Sequence, residues 1–321
     1  MSAPIRIVLV GFGKMGHHHF RAITESQRFE LVGIVDPMGG GEPSNIPMVA
    51  HLEELSDVEF SCAIVATPTP SHFDIVLQLL RMGKHVLVEK PAASQMEQAR
   101  ELVALASSMK LKLCVGNIER CNPAVLALKE AVVSKAMGKL LVMKSHRAGG
   151  RPLAQSPENN VILDLVVHDL DVMASLLGGS DRLSFQAGNG YCGDTGIIEV
   201  ADLLGRSVLG VDVSLHGSWR SPVRERWLQV VGSLGVCRVN YMTQECVVWG
   251  QHLERIWPGK KTLKEGAFQK MVLSPGPTMV QPIQEQLDQF WLFLNERQHC
   301  LCYGRELLLV QELIADVCAT L

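Results

Sequence analysis

The stretch PIRIVLVGFGKMG, residues 4–16, decides how the first part of the chain folds. Its apolar run reads as a buried strand, and glycine follows at once. Gly11, Gly13 and Gly16 stand in GxGxxG spacing, and the residues after them read as a helix to about residue 26. A second strand, ELVGIVD, ends at Asp36, 20 residues after Gly16. Strand, glycine turn, helix, strand and acidic residue together form a dinucleotide-binding fingerprint. Each glycine has a mechanical reason. Gly11 permits the tight turn, Gly13 lets backbone approach a pyrophosphate, and Gly16 lets the helix pack close to the strand. The turn residues Gly11, Phe12, Gly13, Lys14, Met15 and Gly16 are therefore expected to line the cofactor. Asp36 is expected to accept hydrogen bonds from the adenosine ribose. Its charge opposes a 2′-phosphate, so the expected cofactor is NAD. A glycine-rich turn binding some other ligand is the bland alternative.

Outward from this stretch, strands and helices alternate. SCAIVAT (61–67), HVLVEKP (85–91) and LKLCVG (111–116) read as strands. SHFDIVLQLLRMG (71–83) and SQMEQARELVALASSM (94–109) read as helices capped by Ser71 and Ser94. This alternation predicts a parallel, doubly wound sheet over 1–120. The pattern then changes. A helix over 122–138 and a strand over 139–147 precede VILDLVVHDLD, an apolar helix at 161–171. From 182 to 250 six strands follow with only turns between them, and two helices close the chain at about 282–297 and 304–319. The expected architecture is an α/β Rossmann domain, 1–120, and an α+β domain, 121–321, with a large, mostly antiparallel, open-faced sheet. The last helix is free to pack back on the first domain.

Composition narrows the function classes. Of 321 residues, 47% are hydrophobic and 20% charged, as in an ordinary globular enzyme, and the net charge of -3 offers no nucleic-acid footprint. GKKTLK (259–264) reads as a solvated loop, and WRSPVRERW (219–227) as strand ends. No apolar run approaches the roughly 20 residues needed to span a bilayer. The N-terminal run lacks a signal cleavage site, so a cytoplasmic protein is expected. The nine cysteines are scattered without CxxC, which suggests reduced thiols. His17, His18 and His19 are consecutive, so on a helix they cannot converge on one ion, and no metal site is expected.

Asp164 and His168, four apart on an apolar helix, fall on one face. Burying both costs free energy unless they are paired or used. A local brace is one reading and an active-site pair the other. Asp171, at i+7, reads as structural.

Four segments carry a resemblance: GFGKMGHHHFRA with VDP; VATPTPSHFDIVLQLLRMGKHVLVEKP with its Glu89-Lys90-Pro91; VGNIERCNPAV; and DLVVHDLD. Together they resemble the Gfo/Idh/MocA oxidoreductases across essentially the whole chain, with Cys121 where the family's phenylalanine usually stands. The resemblance implies an NAD-dependent dehydrogenase acting on a secondary hydroxyl of a sugar or nucleotide sugar, with UDP-N-acetylglucosamine-like substrates favoured. It implies Lys90, Asp164 and His168 as catalytic residues. Lys90 would steady the forming alkoxide, His168 would take the hydroxyl proton, and Asp164 would orient the imidazole or touch the sugar. Thr67, Pro68, His72, Glu89, Lys90 and Asn117 would join the cofactor site. His72 reads equally as a helix-start residue near water, Asn117 as a turn residue, and His19 as packing. An inositol or free-sugar dehydrogenase is the alternative within the family, and a non-catalytic NAD-binding regulator the alternative outside it. Apolar alternation on both faces of SVLGVDVSL points to a homodimer or homotetramer through the second domain's sheet.

Overall fold

The computed structural model describes residues 3–39, 45–150, 160–178, 183–194, 196–276 and 281–321. They form two compact units: 1–121 with 281–311, and 122–280 with 312–321.

The chain begins with β1 (Ile5–Val10), α1 (Lys14–Glu25), β2 (Phe29–Val35), β3 (Met48–Val49) and β4 (Cys62–Val65). It continues with α2 (His72–Arg81), β5 (His85–Val88), α3 (Met96–Ser108) and β6 (Leu113–Val115). Next come α4 (Pro123–Val133), β7 (Leu140–Ala148), α5 (Val167–Leu176), β8 (Leu183–Cys192), β9 (Ile198–Ser207) and β10 (Asp212–Ser218). Then follow β11 (Glu225–Gly232), β12 (Gly235–Asn240), β13 (Glu245–Gly250), α6 (Leu253–Ile256), β14 (Leu263–Glu265) and β15 (Phe268–Pro275). The last elements are α7 (Pro282–Leu294), β16 (Cys302–Tyr303) and α8 (Gly304–Thr320).

The first unit is a Rossmann fold. Its sheet runs β3-β2-β1-β4-β5-β6-β16, parallel throughout except where β16 pairs antiparallel with β6. Strand order reverses between β1 and β4, where ligands bind in open α/β sheets. Ile7, Leu9, Ile64 and Leu87 are wholly or almost wholly buried, as strands covered on both faces require. Ile283, Leu287, Phe290 and Phe293 of α7 join this core, and Phe29 stacks on Phe290 with ring centroids 6.1 Å apart. That burial explains why 281–311 belongs to the first unit.

Two expected caps are replaced. Ser71 lies in a 3-10 turn, Thr69–Ser71, and its Oγ lies 2.8 Å from both Thr67 Oγ1 and the Pro68 carbonyl oxygen, a geometry in which it donates to the carbonyl and accepts from the Thr67 hydroxyl, instead of capping α2. α3 starts beyond Ser94, with Gln95 and Gln98 capping each other's backbone. Helix 122–138 is shorter than expected and ends at Val133, while Asn122 caps it by accepting from the Ala124 N–H at 3.0 Å.

The second unit holds a nine-stranded sheet, β14-β15-β13-β12-β11-β7-β10-β9-β8. All neighbours are antiparallel except β7 and β10. The six expected strands are β8–β13. The β14–β15 hairpin adds two more, so the end of GKKTLK is an exposed edge strand, not a loop. The helix at 161–171 is not uniform: Ile162–Val166 is a π-helical turn that runs into α5. Asn160 starts it, its Oδ1 accepting from Ile162 N and Leu163 N at 3.0 Å each. Among the described residues no helix is long and apolar enough to cross a membrane.

Candidate active site

The cofactor elements lie at the carboxyl ends of β1, β2, β4, β5 and β6. Gly11 has φ +92°, and an added Cβ would sit 2.7 Å from the Ala66 carbonyl carbon. A Cβ on Gly16 would collide with the Gly11 carbonyl oxygen. Gly13 differs: nothing lies within 4 Å of its would-be Cβ, and it caps α1 with no side-chain bond. The first N–H groups of α1 therefore face a space that a glycine keeps open. This suits a pyrophosphate, whose charge the helix N-terminus favours. Asp36 Oδ2 accepts from Phe12 N at 2.6 Å and Oδ1 from Met38 N at 2.9 Å. Both oxygens keep lone pairs for ribose hydroxyls. Phe12 is nearly buried and stacks on His17 at 4.2 Å, while Lys14 and Met15 open α1.

Thr67 and Pro68 follow β4. His72 is 1% exposed, and its two ring nitrogens lie 2.8 Å from the Thr67 and Pro91 carbonyl oxygens. It is thus the first residue of α2 without being near water, and it clamps the turn after β4 to the turn after β5. In that second turn Glu89 Oε1 meets His19 Nε2 at 2.8 Å, and Oε2 accepts from Lys90 N at 3.3 Å. Burial alone would raise the Glu89 carboxyl. The His19 hydrogen bond and charge, with Lys90, outweigh it and hold the group below its ordinary value. His19 is therefore not merely packing: it anchors the residue before Lys90. Lys90 is half-buried, Lys90-Pro91 is a cis peptide, and Asn117 is 5% exposed just past β6.

In the second unit, Asp164 and His168 are both half-buried, so neither lies in a dry core. Asp164 sits in the π-turn, and its Oδ2 accepts from the buried Trp219 indole N–H at 2.9 Å. His168 follows on α5. Below them Arg147 and Asp169 form a buried pair, Nε to Oδ2 at 2.9 Å and Nη2 to Oδ1 at 3.4 Å, each side chain 1% exposed. The Tyr241 ring lies 4.5 Å from that guanidinium. Asp171 is also buried. Sequence reasoning did not single out Trp219, Arg147 or Asp169. The HDLD context was the only pointer, since the partners come from distant strands. Among the described residues no group of three or more His, Cys, Asp or Glu could hold a metal ion.

A parallel Rossmann unit with this glycine turn, joined to a second unit built on a large open sheet, defines a two-unit nucleotide-dependent oxidoreductase architecture. Family models locate it further. Residues 5–117 match the oxidoreductase family with an NAD-binding Rossmann fold, and 125–238 match the GFO/IDH/MocA C-terminal domain. The chain belongs to the Gfo/Idh/MocA oxidoreductase family. It is 31% identical to UDP-N-acetylglucosamine 3-dehydrogenase of Acidithiobacillus ferrooxidans over 192 residues, 57% of each chain. It is 26% identical to inositol 2-dehydrogenase of Rhizobium meliloti over 184 residues, 54% of this chain and 55% of that one. The chain thus spans about half the length of the curated relatives it matches. The solved structure of UDP-N-acetylglucosamine 3-dehydrogenase GnnA from Acidithiobacillus ferrooxidans shares the fold, with TM-score 0.81 over 100% of this chain and 98% of that one at 18% identity.

Proposed function

We propose that this chain is an NAD-dependent dehydrogenase that oxidises a secondary hydroxyl of a sugar or nucleotide sugar, UDP-N-acetylglucosamine-like substrates being favoured. The observation that carries this reading is the open Gly13 cradle at the uncapped start of α1, facing the same sheet edge as Lys90. Asp36 supports NAD over NADP, because its carboxylate has lone pairs for ribose hydroxyls and repels a phosphate. When bound, the nicotinamide accepts the hydride. The chain's own residues do the rest. Lys90, held by the buried Glu89–His19 pair, donates to the substrate oxygen and stabilises the alkoxide. His168 takes the hydroxyl proton, as imidazoles do near neutral pH. Asp164, fixed by Trp219, orients the imidazole or the sugar. Thr67, Pro68, His72 and Asn117 shape the cofactor site. The similarity to an inositol dehydrogenase keeps a free polyol as the second substrate reading.

The test is NADH formation with UDP-N-acetylglucosamine, myo-inositol and glucose, with and without 2-oxoglutarate. Turnover with the nucleotide sugar alone is expected. Lys90→Met should lower kcat by about 10²–10³-fold while NAD still binds. NAD binding without hydride transfer from any substrate would replace this reading with a regulator.

A ring row on the second unit's sheet supports self-assembly. Trp227, His146 and His216 form a stacked row across β11, β7 and β10, with centroid spacings of 5.6 and 4.7 Å. We propose that a second copy covers this face. Light scattering at micromolar concentration should give a dimer or tetramer, and Trp227→Glu should shift it to monomer. A monomeric parent chain would refute the assembly.

A further inference from the structure

Among the described residues, two pairs of cysteines bring their sulfurs close. Cys237 and Cys246 are 3.4 Å apart, and both are fully buried, beyond the reach of an oxidant. Cys121 and Cys300 are 3.6 Å apart, and this pair is different, because Cys121 is buried while Cys300 is half-exposed. We propose that Cys121 and Cys300 form a reversible disulfide when the protein meets a peroxide, a redox modification site separate from the catalytic chemistry.

The backbone at both ends is already anchored. Cys121 closes the 3-10 turn Ile118–Cys121, in which the Arg120 guanidinium meets Glu306 at 2.9 Å. Cys300 lies between α7 and β16, and its N–H donates to Gln289 of α7 at 3.0 Å. Two residues on, Cys302 pairs with Val115 of β6. A disulfide has an S–S bond of about 2.05 Å, so the sulfurs, 3.6 Å apart, must close by about 1.5 Å.

The two thiols have distinct roles. The hydrogen bond to Cys300, burial, and the neighbouring Cys300 and Glu285 charges push the Cys121 thiol well up. Cys121 is buried and Cys300 half-exposed, so Cys300 meets the oxidant first. Its sulfur attacks the peroxide, forming an S–O bond and breaking O–O. The thiol proton leaves on the departing alcohol or water, and Cys300 becomes a sulfenic acid. Sulfur loses two electrons and the peroxide gains them. The Cys121 sulfur then attacks that sulfenic sulfur, forming S–S and breaking S–O, and water leaves with the Cys121 proton. A dithiol reductant reverses the change.

The partners are 179 residues apart in sequence. The bond would close the chain's whole excursion through 122–280 into a covalent loop, and it would fix the turn that follows Asn117. Tethering so long a loop restricts the unfolded chain, so the oxidised protein should melt higher than the reduced one.

The experiment treats the full chain with hydrogen peroxide, unfolds it in denaturant to block every remaining thiol with N-ethylmaleimide, and maps the peptides by mass spectrometry. A Cys121–Cys300 cross-linked pair, lighter by two hydrogens and abolished by dithiothreitol, is expected. Cys300→Ser should leave Cys121 alkylated. Cys121→Ser should leave a sulfenic acid on Cys300 that dimedone traps. Recovery of alkylated Cys121 and Cys300 while the exposed Cys192 and Cys318 are oxidised would overturn the proposal. So would a Cys300 sulfinic acid with Cys121 still reduced. None of these readouts depends on finding the substrate.

Discussion

At the scale of single residues, the glycine turn can be read one position at a time, because steric exclusion is local. Gly13 and Gly16 make the contrast. Gly13 has open space around its would-be Cβ and an ordinary φ of -73°, so Gly13→Ala should fold with stability within about 0.5 kcal/mol of the parent. The added methyl points where the pyrophosphate is expected, so NAD affinity should fall tenfold or more. Gly16→Ala drives a methyl into the Gly11 carbonyl oxygen, and a backbone atom cannot rotate away. It should cost about 1–3 kcal/mol as well as NAD affinity. Thermal melts and NAD titration of the two variants check this, and equal melting points would sink the steric argument. His19 shows the limit of such reading. Its partner Glu89 lies 70 residues away, and no local spacing links a helix residue to a strand end. The same holds for Trp219 and Asp164, 55 residues apart.

At the scale of elements, alternating strands and helices were legible because the apolar period reports which side is covered. Starts and local windings were less legible. Ser71 and Ser94 are good capping residues in isolation, yet a 3-10 turn draws off one hydroxyl and a glutamine pair starts the other helix. The apolar period across 161–171 predicts a helix but does not distinguish a π-turn from α-helix, because one turn closed i→i+5 is too short to set a period of its own. What holds α5 against β7 is a pairing rather than a period: the Arg147–Asp169 bridge, in which each side chain is 1% exposed. Arg147→Met would leave Asp169 buried without its cation, at an expected cost of about 3–5 kcal/mol. Arg147→Met combined with Asp169→Leu removes both charges and should recover most of that loss. Urea unfolding of the single and double variants measures it. A double variant no more stable than the single would show that the bridge contributes more than relief of a buried charge.

At the scale of the whole molecule, the sequence order conceals that 281–311 returns to the first unit. The apolar face of α7 could have served either core, and contact with Phe29 and the sheet decides. The folded chain also acquires a pH dependence that composition alone does not give. His85, His146 and His299 all sit below the ordinary imidazole value of 6.5. Burial is the first cause in each, with Lys112 beside His85 and His299, and His216 beside His146. His85 Nδ1 accepts the Lys112 backbone N–H at 3.0 Å, which requires that nitrogen to lack a proton. The unfolded chain thus binds protons near 6.5 that the folded chain resists. Between that value and the lower folded values the unfolded state holds more protons, so stability rises with pH there. It should be fully present well above 6.5 and decline as pH falls below 6.5, where the unfolded imidazoles take up protons. A further loss follows in acid, where Glu89, depressed below 4.5 when folded, takes up its proton. Melting temperatures at constant ionic strength should follow this curve, and His85→Gln should flatten part of the first limb. A melting temperature unchanged as pH falls through 6.5 would mean that these imidazoles titrate alike in both states.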